Sequence, residues 1–494
     1  MTVSPNLLIP VLLLLPVLLV PLLYLTRKSP DIRENISIVG GFVNLFFVLL
    51  ALGGIMRGTI AQLQILPLLP GVSLSFEIDS LSCILLLTAG FLWPLATLYS
   101  AGYLRGHHEK NQTRFFSMFC IAIAATNGVA MSGNLLTLYL FYEILSLSTY
   151  PLVTHHQDEV ARSAGRRYLA FIMGGSVGLA LPAMMTVYTL TGSLDFSSVG
   201  AVMNLGGWPA TLLTLAFLFG FSKAAVMPMH AWLPGAMVAP TPVSALLHAV
   251  AVVKVGVFAV IRSLCNVLGP EFLTSHNTSY LVTAICALTI IVSAALMVSQ
   301  DNLKRCLAFS TIGQLSYIIL AVSLLNKSGI TGGTTHIFMH AFGKITLFFC
   351  AGAIAVHAHK TRISEFDGLG RSMPWTFGAF TVGCLAIIGL PPTGGFVSKW
   401  LIVTAAIKAG MPVIAGLLLV SSLLKAWAFF PIIFRAYFQA VPEGEHHPEG
   451  DASWLMRLPL LMTALGSILL FFFPGHILEL AGAFADEILN RGGV

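Results

Sequence analysis

Runs of about 20 apolar residues follow one another almost from end to end of this chain, and no other property limits its fold so tightly. Each run is long enough to cross a bilayer as a helix. None shows the short alternating segments, roughly ten residues long, from which outer-membrane barrels are built. Only 9% of the 494 residues are charged and 56% are hydrophobic. A soluble enzyme and a nucleic-acid-binding protein are thereby excluded, in spite of the net charge of +6. The fold class is an all-α polytopic membrane protein embedded in a lipid bilayer.

About fourteen spans are expected, starting near residues 5, 36, 78, 115, 133, 166, 209, 243, 279, 304, 332, 374, 411 and 454. The first run, Leu7–Leu25, has no basic residue before it and three after it, so it reads as a retained helix and not a cleaved signal. If the N-terminus lies outside, sixteen basic residues fall inside: Arg27, Lys28, Arg33, Arg105, Lys110, Arg114, Arg162, Arg166, Arg167, Lys304, Arg305, Lys360, Arg362, Arg371, Arg435 and Arg457. Only Arg57, Arg262, Lys327, Lys408 and Arg491 fall outside. Basic residues favour the cytoplasmic side, so both termini are expected on the outer side of the cell (inner) membrane.

Five basic residues remain, and all lie within spans: Lys223, Lys254, Lys344, Lys399 and Lys425. Glu143 is the one carboxylate well inside a span, while Asp79 stands near the outer start of the third. A charge at mid-membrane costs at least about 2.5–3.5 kcal/mol, so it calls for a partner or a function. Lys425 is the weakest of the five, because its flexible stem can snorkel towards an interface.

Two of the spans are interrupted. In the seventh, Lys223 precedes Pro228, which cannot donate to the Ala224 carbonyl, and Pro234, Pro240 and Pro242 follow. The helix is expected to break just beyond the lysine. In the twelfth, Pro391 and Pro392 remove two donors, Gly394 and Gly395 loosen the turn, and Lys399 follows. Within lipid, such breaks survive only where protein or a wet cavity surrounds them. A pair of them, one in each half of the chain, points to a transporter built from inverted repeats.

More titratable groups lie between the breaks. His248 and Lys254 are six residues apart on the eighth span, or ~9 Å along a helix axis. His336, His340 and Lys344 repeat at i, i+4 and i+8 on the eleventh, within ~80° of one face. The two histidines have the spacing of zinc ligands but lack a glutamate between them and an evident third ligand, so no metal is expected. Neutral histidine both accepts and donates, which suits a proton relay. Glu143, Lys223, Lys254, His336, His340, Lys344 and Lys399 thus form a discontinuous polar line. An ion pair ~4 Å apart gains about 4 kcal/mol at an effective dielectric near 20. Making or breaking a Glu143–Lys223 contact would therefore switch Lys223 between holding and releasing a proton.

Seven motifs carry a resemblance: FEIDSLS (76–82), YEILSLSTY (142–150), SKAAVMPMHAWLPGAMVAPTPVSALLHA (222–249), VVKVGVFAVIR (252–262), DNLKRCLAFSTIGQLSYI (301–318), HIFMHAFGKITLFFCAG (336–352) and GLPPTGGFVSK (389–399). They resemble the antiporter-like membrane subunits shared by Mrp-type cation/proton antiporters, respiratory complex I and membrane-bound hydrogenases. The resemblance implies two inverted five-helix repeats with broken helices 7 and 12. These would be residues 115–266 (helices 4–8) and 279–438 (helices 9–13), after N-terminal helices in 1–114 and before a last helix at 454–473. It further implies that Glu143 and Lys223 are the charged pair. By the same resemblance Lys254 and Lys399 would transfer protons with them and His336, His340 and Lys344 would serve as the relay, which His248, on the span of Lys254, is expected to join.

Lysine at 399 and the stretch LLHAVAVVKVGVFAVIR look most like the D-type member of Mrp antiporters. The expected function is proton translocation in a multisubunit Na+(K+)/H+ antiporter, beside other membrane subunits and with protons and monovalent cations as substrates. No flavin, nucleotide or cluster motif appears, and the seven cysteines are scattered singly, so no cofactor and no redox chemistry by this chain alone are expected. The alternative is a proton-pumping subunit of a complex I-type NADH:quinone oxidoreductase or a hydrogenase. A drug/proton antiporter of the major facilitator type is disfavoured, because the loop MRGTIAQLQILPLLPGV lacks the basic, glycine-containing motif of that class between spans two and three.

Overall fold

Lipid offers no hydrogen bonds to a bare backbone, so the apolar runs close their own ladders as helices. A computed structural model describes residues 5–196, 201–443 and 449–491. Twelve helices in it are long and apolar enough to cross a membrane: Leu7–Leu25, Pro30–Ile55, Ser80–Gly106, Gln112–Ala130, Leu135–Val153, Glu159–Thr191, Thr241–Leu268, Thr278–Val298, Leu303–Ser323, Lys327–His357, Pro412–Phe438 and Trp454–Phe472. Two shorter apolar helices, Trp208–Gly220 and Pro374–Ile388, occupy the places of the seventh and twelfth spans. They are the two segments in which proline interrupts the sequence.

The seventh span stops earlier than its prolines require. Its helix ends at Gly220, Lys223 sits in a single tight turn at Ser222–Ala224, and Ala225 takes a φ of +54°. The lysine therefore lies inside the break and not ahead of it. The twelfth ends at Ile388, turns through Gly389 at φ +89°, and resumes as Gly394–Lys408. A third irregularity had no sequence signal. The eighth span widens to π-type turns at Leu246–Val250, and Ala251 leaves helical geometry just before Lys254.

The most deeply buried spans are Thr241–Leu268, Leu303–Ser323 and Lys327–His357, and they form the centre. Their interior is lined by hydroxyls, imidazoles and amines among the apolar side chains. Leu7–Leu25 and Pro30–Ile55 expose long apolar faces, as lipid-facing helices should.

Two elements flank the bundle on one side. The segment read as a loop before the third span is a hairpin, Ala61–Leu69 paired with Val72–Ile78 across Pro70–Gly71, with Gly71 at φ +76°. It leads into Asp79, which caps Ser80–Gly106 by accepting from Ser82 N at 2.8 Å. A further helix, Gly475–Arg491, follows the one at 454–473 that was expected to be the last. It buries Leu480, Ala481, Phe484, Ala485 and Ile488, and Lys327 Nζ meets Asp486 Oδ1 at 2.7 Å.

Arg262, assigned to an outer loop by charge counting, is only 2% exposed and pairs with Asp79 at 2.7 Å. Trp93 and Trp232 are buried, whereas Trp375, Trp400 and Trp454 are exposed. Lys425 does not snorkel and is fully buried. Part of the acidic 441–453 loop, residues 444–448, lies outside the described residues.

Close approach of the eighth span to the first break depends on Gly256. A Cβ there would stand 2.2 Å from Ala224 N and 2.3 Å from the Lys223 carbonyl carbon, both rigid backbone. Gly256→Ala is expected to destabilise the fold by about 1–3 kcal/mol or more, as overpacking of a tight contact does. Gly378→Ala, facing open space, should change stability by less than about 0.5 kcal/mol. Thermal unfolding of the purified protein checks both.

Candidate functional site

Each proline break frees carbonyls that a continuous helix would satisfy. In the twelfth span, Pro391 and Pro392 cannot donate to Ile387 O and Ile388 O, the acceptors four residues before them. Lys399 Nζ reaches back and donates to those two carbonyls, at 2.7 and 2.9 Å, with Ser422 Oγ at 3.3 Å. Glycine makes this possible, since a Cβ on Gly389 would lie 2.5 Å from Lys399 Cδ.

At the first break, Lys223 is buried against the Leu135–Val153 helix. Its Nζ donates to Tyr142 O at 2.6 Å and to Ser146 Oγ at 2.7 Å, and lies 3.1 Å from the centroid of the Tyr142 ring. Its backbone N–H donates to Tyr142 Oη at 3.0 Å. Glu143 is one residue, about 100° round the helix, from this face. Among the described residues its two carboxylate oxygens are shielded and accept no hydrogen bond. The expected Glu143–Lys223 ion pair is therefore not formed in this conformation. The helix instead presents to the lysine a carbonyl, a hydroxyl and a ring face, none of which was singled out in the sequence.

Between the breaks, Lys254 Nζ donates to His340 Nδ1 at 2.7 Å and so joins the eighth span to the eleventh. His340 and His336 stack with ring centroids 5.7 Å apart. His336 Nε2 meets Gln314 Oε1 at 2.8 Å and its Nδ1 meets Ser398 Oγ at 2.8 Å. Gln314 Nε2 donates to Ile387 O at 2.7 Å, the carbonyl that Lys399 also holds. With the amide so oriented, His336 donates from Nε2 and accepts at Nδ1. Lys344 donates to Leu307 O at 3.1 Å and to Ser310 Oγ. His248 Nδ1 meets Thr311 Oγ1 at 2.9 Å.

The structure thus links Lys254, His340, His336 and Lys399 through Gln314 and one shared carbonyl. It leaves Lys223 with Tyr142 and Ser146, and has Lys344 and His248 each bonded to the Leu303–Ser323 helix. Gln314, Tyr142, Ser146 and Ser398 were missed because neutral polar residues are common in apolar spans. Only the spacing Gln314–Tyr317, one turn of a buried helix, offered a hint. Among the described residues no three His, Cys, Asp or Glu side chains come together as a metal site would need.

A cavity of about 250 Å³ opens at the end of the bundle occupied by the basic loops, lined by Tyr103, His107, Thr241, Lys304, His359 and Lys360. Thr241, Ser244 and His248 lead inward from it along one helical face, and Ser244 Oγ and His248 Nε2 have no partner among the described residues. Beside the cavity, Glu109 Oε1 meets His156 Nε2 at 3.1 Å, and Glu109 Oε2 lies 3.7 Å from His155. Burial alone would push the Glu109 carboxyl up, but the His156 hydrogen bond and the nearby imidazoles outweigh it and bring it below the usual range. The same bond raises His156 against its partial burial, while burial lowers His155 and His107.

A raised histidine stabilises the fold fully below its unfolded value near 6.5, and the gain is lost as pH rises through the folded value. Glu109→Gln should therefore lower thermal stability at about pH 6, with the difference shrinking towards about pH 9. A difference that grows with pH would contradict this pairing.

Residues 132–425 match the family described as NADH:quinone oxidoreductase/Mrp antiporter, transmembrane, and residues 71–116 match the N-terminus of chain 5 of NADH-ubiquinone oxidoreductase (complex I). The chain is 33% identical over 429 residues to NADH-quinone oxidoreductase subunit N of Desulforudis audaxviator (strain MP104C), covering 83% of this chain and 84% of that one. It is 32% identical to NADH-quinone oxidoreductase subunit L of Mycobacterium tuberculosis (strain H37Rv) over 83% of this chain, but spans only 64% of that relative's length. Hydrogenase-4 component B of Escherichia coli (strain K12) is 29% identical over 94% of this chain and 72% of its own. A chain of the Mrp complex from Dietzia sp. DQ12-45-1b shares the fold with a TM-score of 0.87 at 21% identity, over 99% of this chain and 98% of that one. A chain of an archaeal membrane-bound sulfane sulfur reductase does so at 0.86 and 23%, over 98% and 99%.

Proposed function

Because the chain belongs to the NADH:quinone oxidoreductase/Mrp antiporter family of membrane subunits, we propose that it carries protons across the bilayer as the D-type member of a multisubunit Na+(K+)/H+ antiporter of the Mrp kind. The observation that carries proton transfer is the 2.7 Å contact of Lys254 with His340, with His336 stacked 5.7 Å further on. Gln314 and Ile387 O hold His336 and Lys399 in place, and bound water would carry the proton between those two. Lysine is suited to this use, since a buried amine takes up and releases a proton as its surroundings change, which arginine does not.

In this reading protons enter from the basic face through the cavity at Thr241 and pass Ser244 and His248. Lys223 accepts a proton while Tyr142 and Ser146 supply only neutral contacts. Approach of Glu143 would favour its charged form, and withdrawal would favour release towards Lys254. Transfer between Lys254 and His340 moves one proton along a 2.7 Å contact, and Lys399 is the far station. Residues 115–266 and 279–438 would act as the two inverted repeats, with both termini outside. The antiporter reading is supported by lysine at 399 and by the likeness of 246–262 to the D-type member.

A second reading, the pumping arm of a redox enzyme, is favoured by the relatives named as NADH-quinone oxidoreductase subunits. There the same proton line would be driven by chemistry in other subunits. Purification of the assembly through a tag on this chain separates the two. The antiporter reading expects only membrane subunits, with no iron and no flavin by elemental analysis and absorbance, and sodium-driven proton movement in vesicles. Stoichiometric iron–sulfur clusters would overturn it in favour of the redox-driven pump.

A further inference from the structure

Lys425 stands at the middle of Pro412–Phe438, thirteen residues from either end, or about 20 Å along the axis. No lysine stem spans that distance, and the side chain is fully buried. Its Nζ donates to Ser421 Oγ at 3.0 Å and lies 4.3 Å from the centroid of the Tyr317 ring. Lys399 Nζ lies 4.9 Å from the same centroid and reaches Ser422 Oγ, on the residue next to Ser421. Tyr317 Oη donates to Leu418 O at 2.7 Å, which ties the ring to the helix that carries Lys425.

Two amines therefore flank one aromatic ring deep in the bundle, each beside its own one of two adjacent serines. Lys344 and His336 are the other titratable groups near enough to act on the pair, and both add positive charge when protonated. Neither lysine forms an ion pair with a carboxylate among the described residues. Two ammonium groups in that setting repel each other with little screening, so the arrangement favours one shared proton over two.

We propose that Lys425 is a further proton-transfer residue, taking the proton that Lys399 releases across Tyr317. The inference rests on the proton-line reading above. In the step, an N–H bond of the Lys399 ammonium breaks and its electron pair stays on that nitrogen. A new N–H bond forms on the neutral Lys425 amine, once that amine turns its lone pair to the Ser421 hydroxyl to which it now donates. The proton leaving Lys399 passes to the Ser422 hydroxyl, and water between the two serines would take the proton Ser422 gives up and supply the one Ser421 passes on. No oxidant or co-reactant is needed.

The test is proton flux in vesicles containing the assembled complex, with assembly checked by co-purification. Lys425→Ala should lower flux by at least about ten-fold, in the range expected for loss of a proton-transferring group. Lys425→Arg should be as slow as alanine, because a guanidinium keeps its proton. The double variant with Lys399→Ala should be no slower than Lys399→Ala alone. Full flux in assembled Lys425→Ala, rescue by arginine, or a double variant much slower than Lys399→Ala would each overturn the proposal. If the alanine variant does not assemble, Lys425→Gln takes its place. Lys223→Ala separates the two levels of the argument: full flux there overturns the proton line itself. Its loss together with full flux in Lys425→Ala overturns this inference alone.

Discussion

Carbonyls released by the twelfth-span break, and the lysine that satisfies them, set the terms for the rest of this structure. A helix cut by two prolines in lipid must find donors for Ile387 O and Ile388 O, since each unsatisfied group costs several kcal/mol there. Lys399 supplies the donors, and its own amine gains a place at depth without a carboxylate. Break and lysine each make the other tolerable. Gln314 draws on Ile387 O as well, which fixes its amide and hence the tautomer of His336. A backbone constraint thus settles the protonation pattern of a side chain on another helix.

The first break solves the same problem with different partners. Lys223 is held by the Tyr142 carbonyl, the Ser146 hydroxyl and the Tyr142 ring, while Glu143 stands aside with bare oxygens. A buried carboxylate and a buried lysine kept apart are a poised pair: each is costly alone, and their approach would gain several kcal/mol. Between the two breaks, the Lys254–His340 contact is the joint at which the two halves of the chain touch through titratable groups. On its other side the eighth span lies against the first break, where Gly256 leaves room for the Lys223 and Ala224 backbone.

Much of this was legible in the sequence, for identifiable reasons. Apolar run length fixed the helical class, because lipid admits so few alternatives. Proline fixed the breaks, because it lacks a donor. Lysines in apolar runs pointed to the candidate site, because their cost calls for a partner or a use. Partners were harder to read. Gln314, Tyr142 and Ser398 matter through three-dimensional proximity to a carbonyl or an imidazole, which spacing along one helix cannot show. Lys425 was misjudged for a related reason: snorkelling depends on the depth of the residue within its helix, and the span had to be delimited first. The hairpin at 61–78 and the helix Gly475–Arg491 escaped notice because neither is long and apolar, and each gains its stability by packing on the bundle.

One measurement bears most directly on the claim that protons cross this chain along its buried amines: proton flux through the reconstituted complex carrying Lys254→Ala, beside Lys254→Arg. Lys254 sits where the two halves meet, and arginine keeps a positive charge there that cannot be passed on. Both variants are expected to assemble, and both to lose flux by about a hundred-fold, the scale of a missing acid–base group. Full flux in the alanine variant would contradict the account, and so would full flux in the arginine variant.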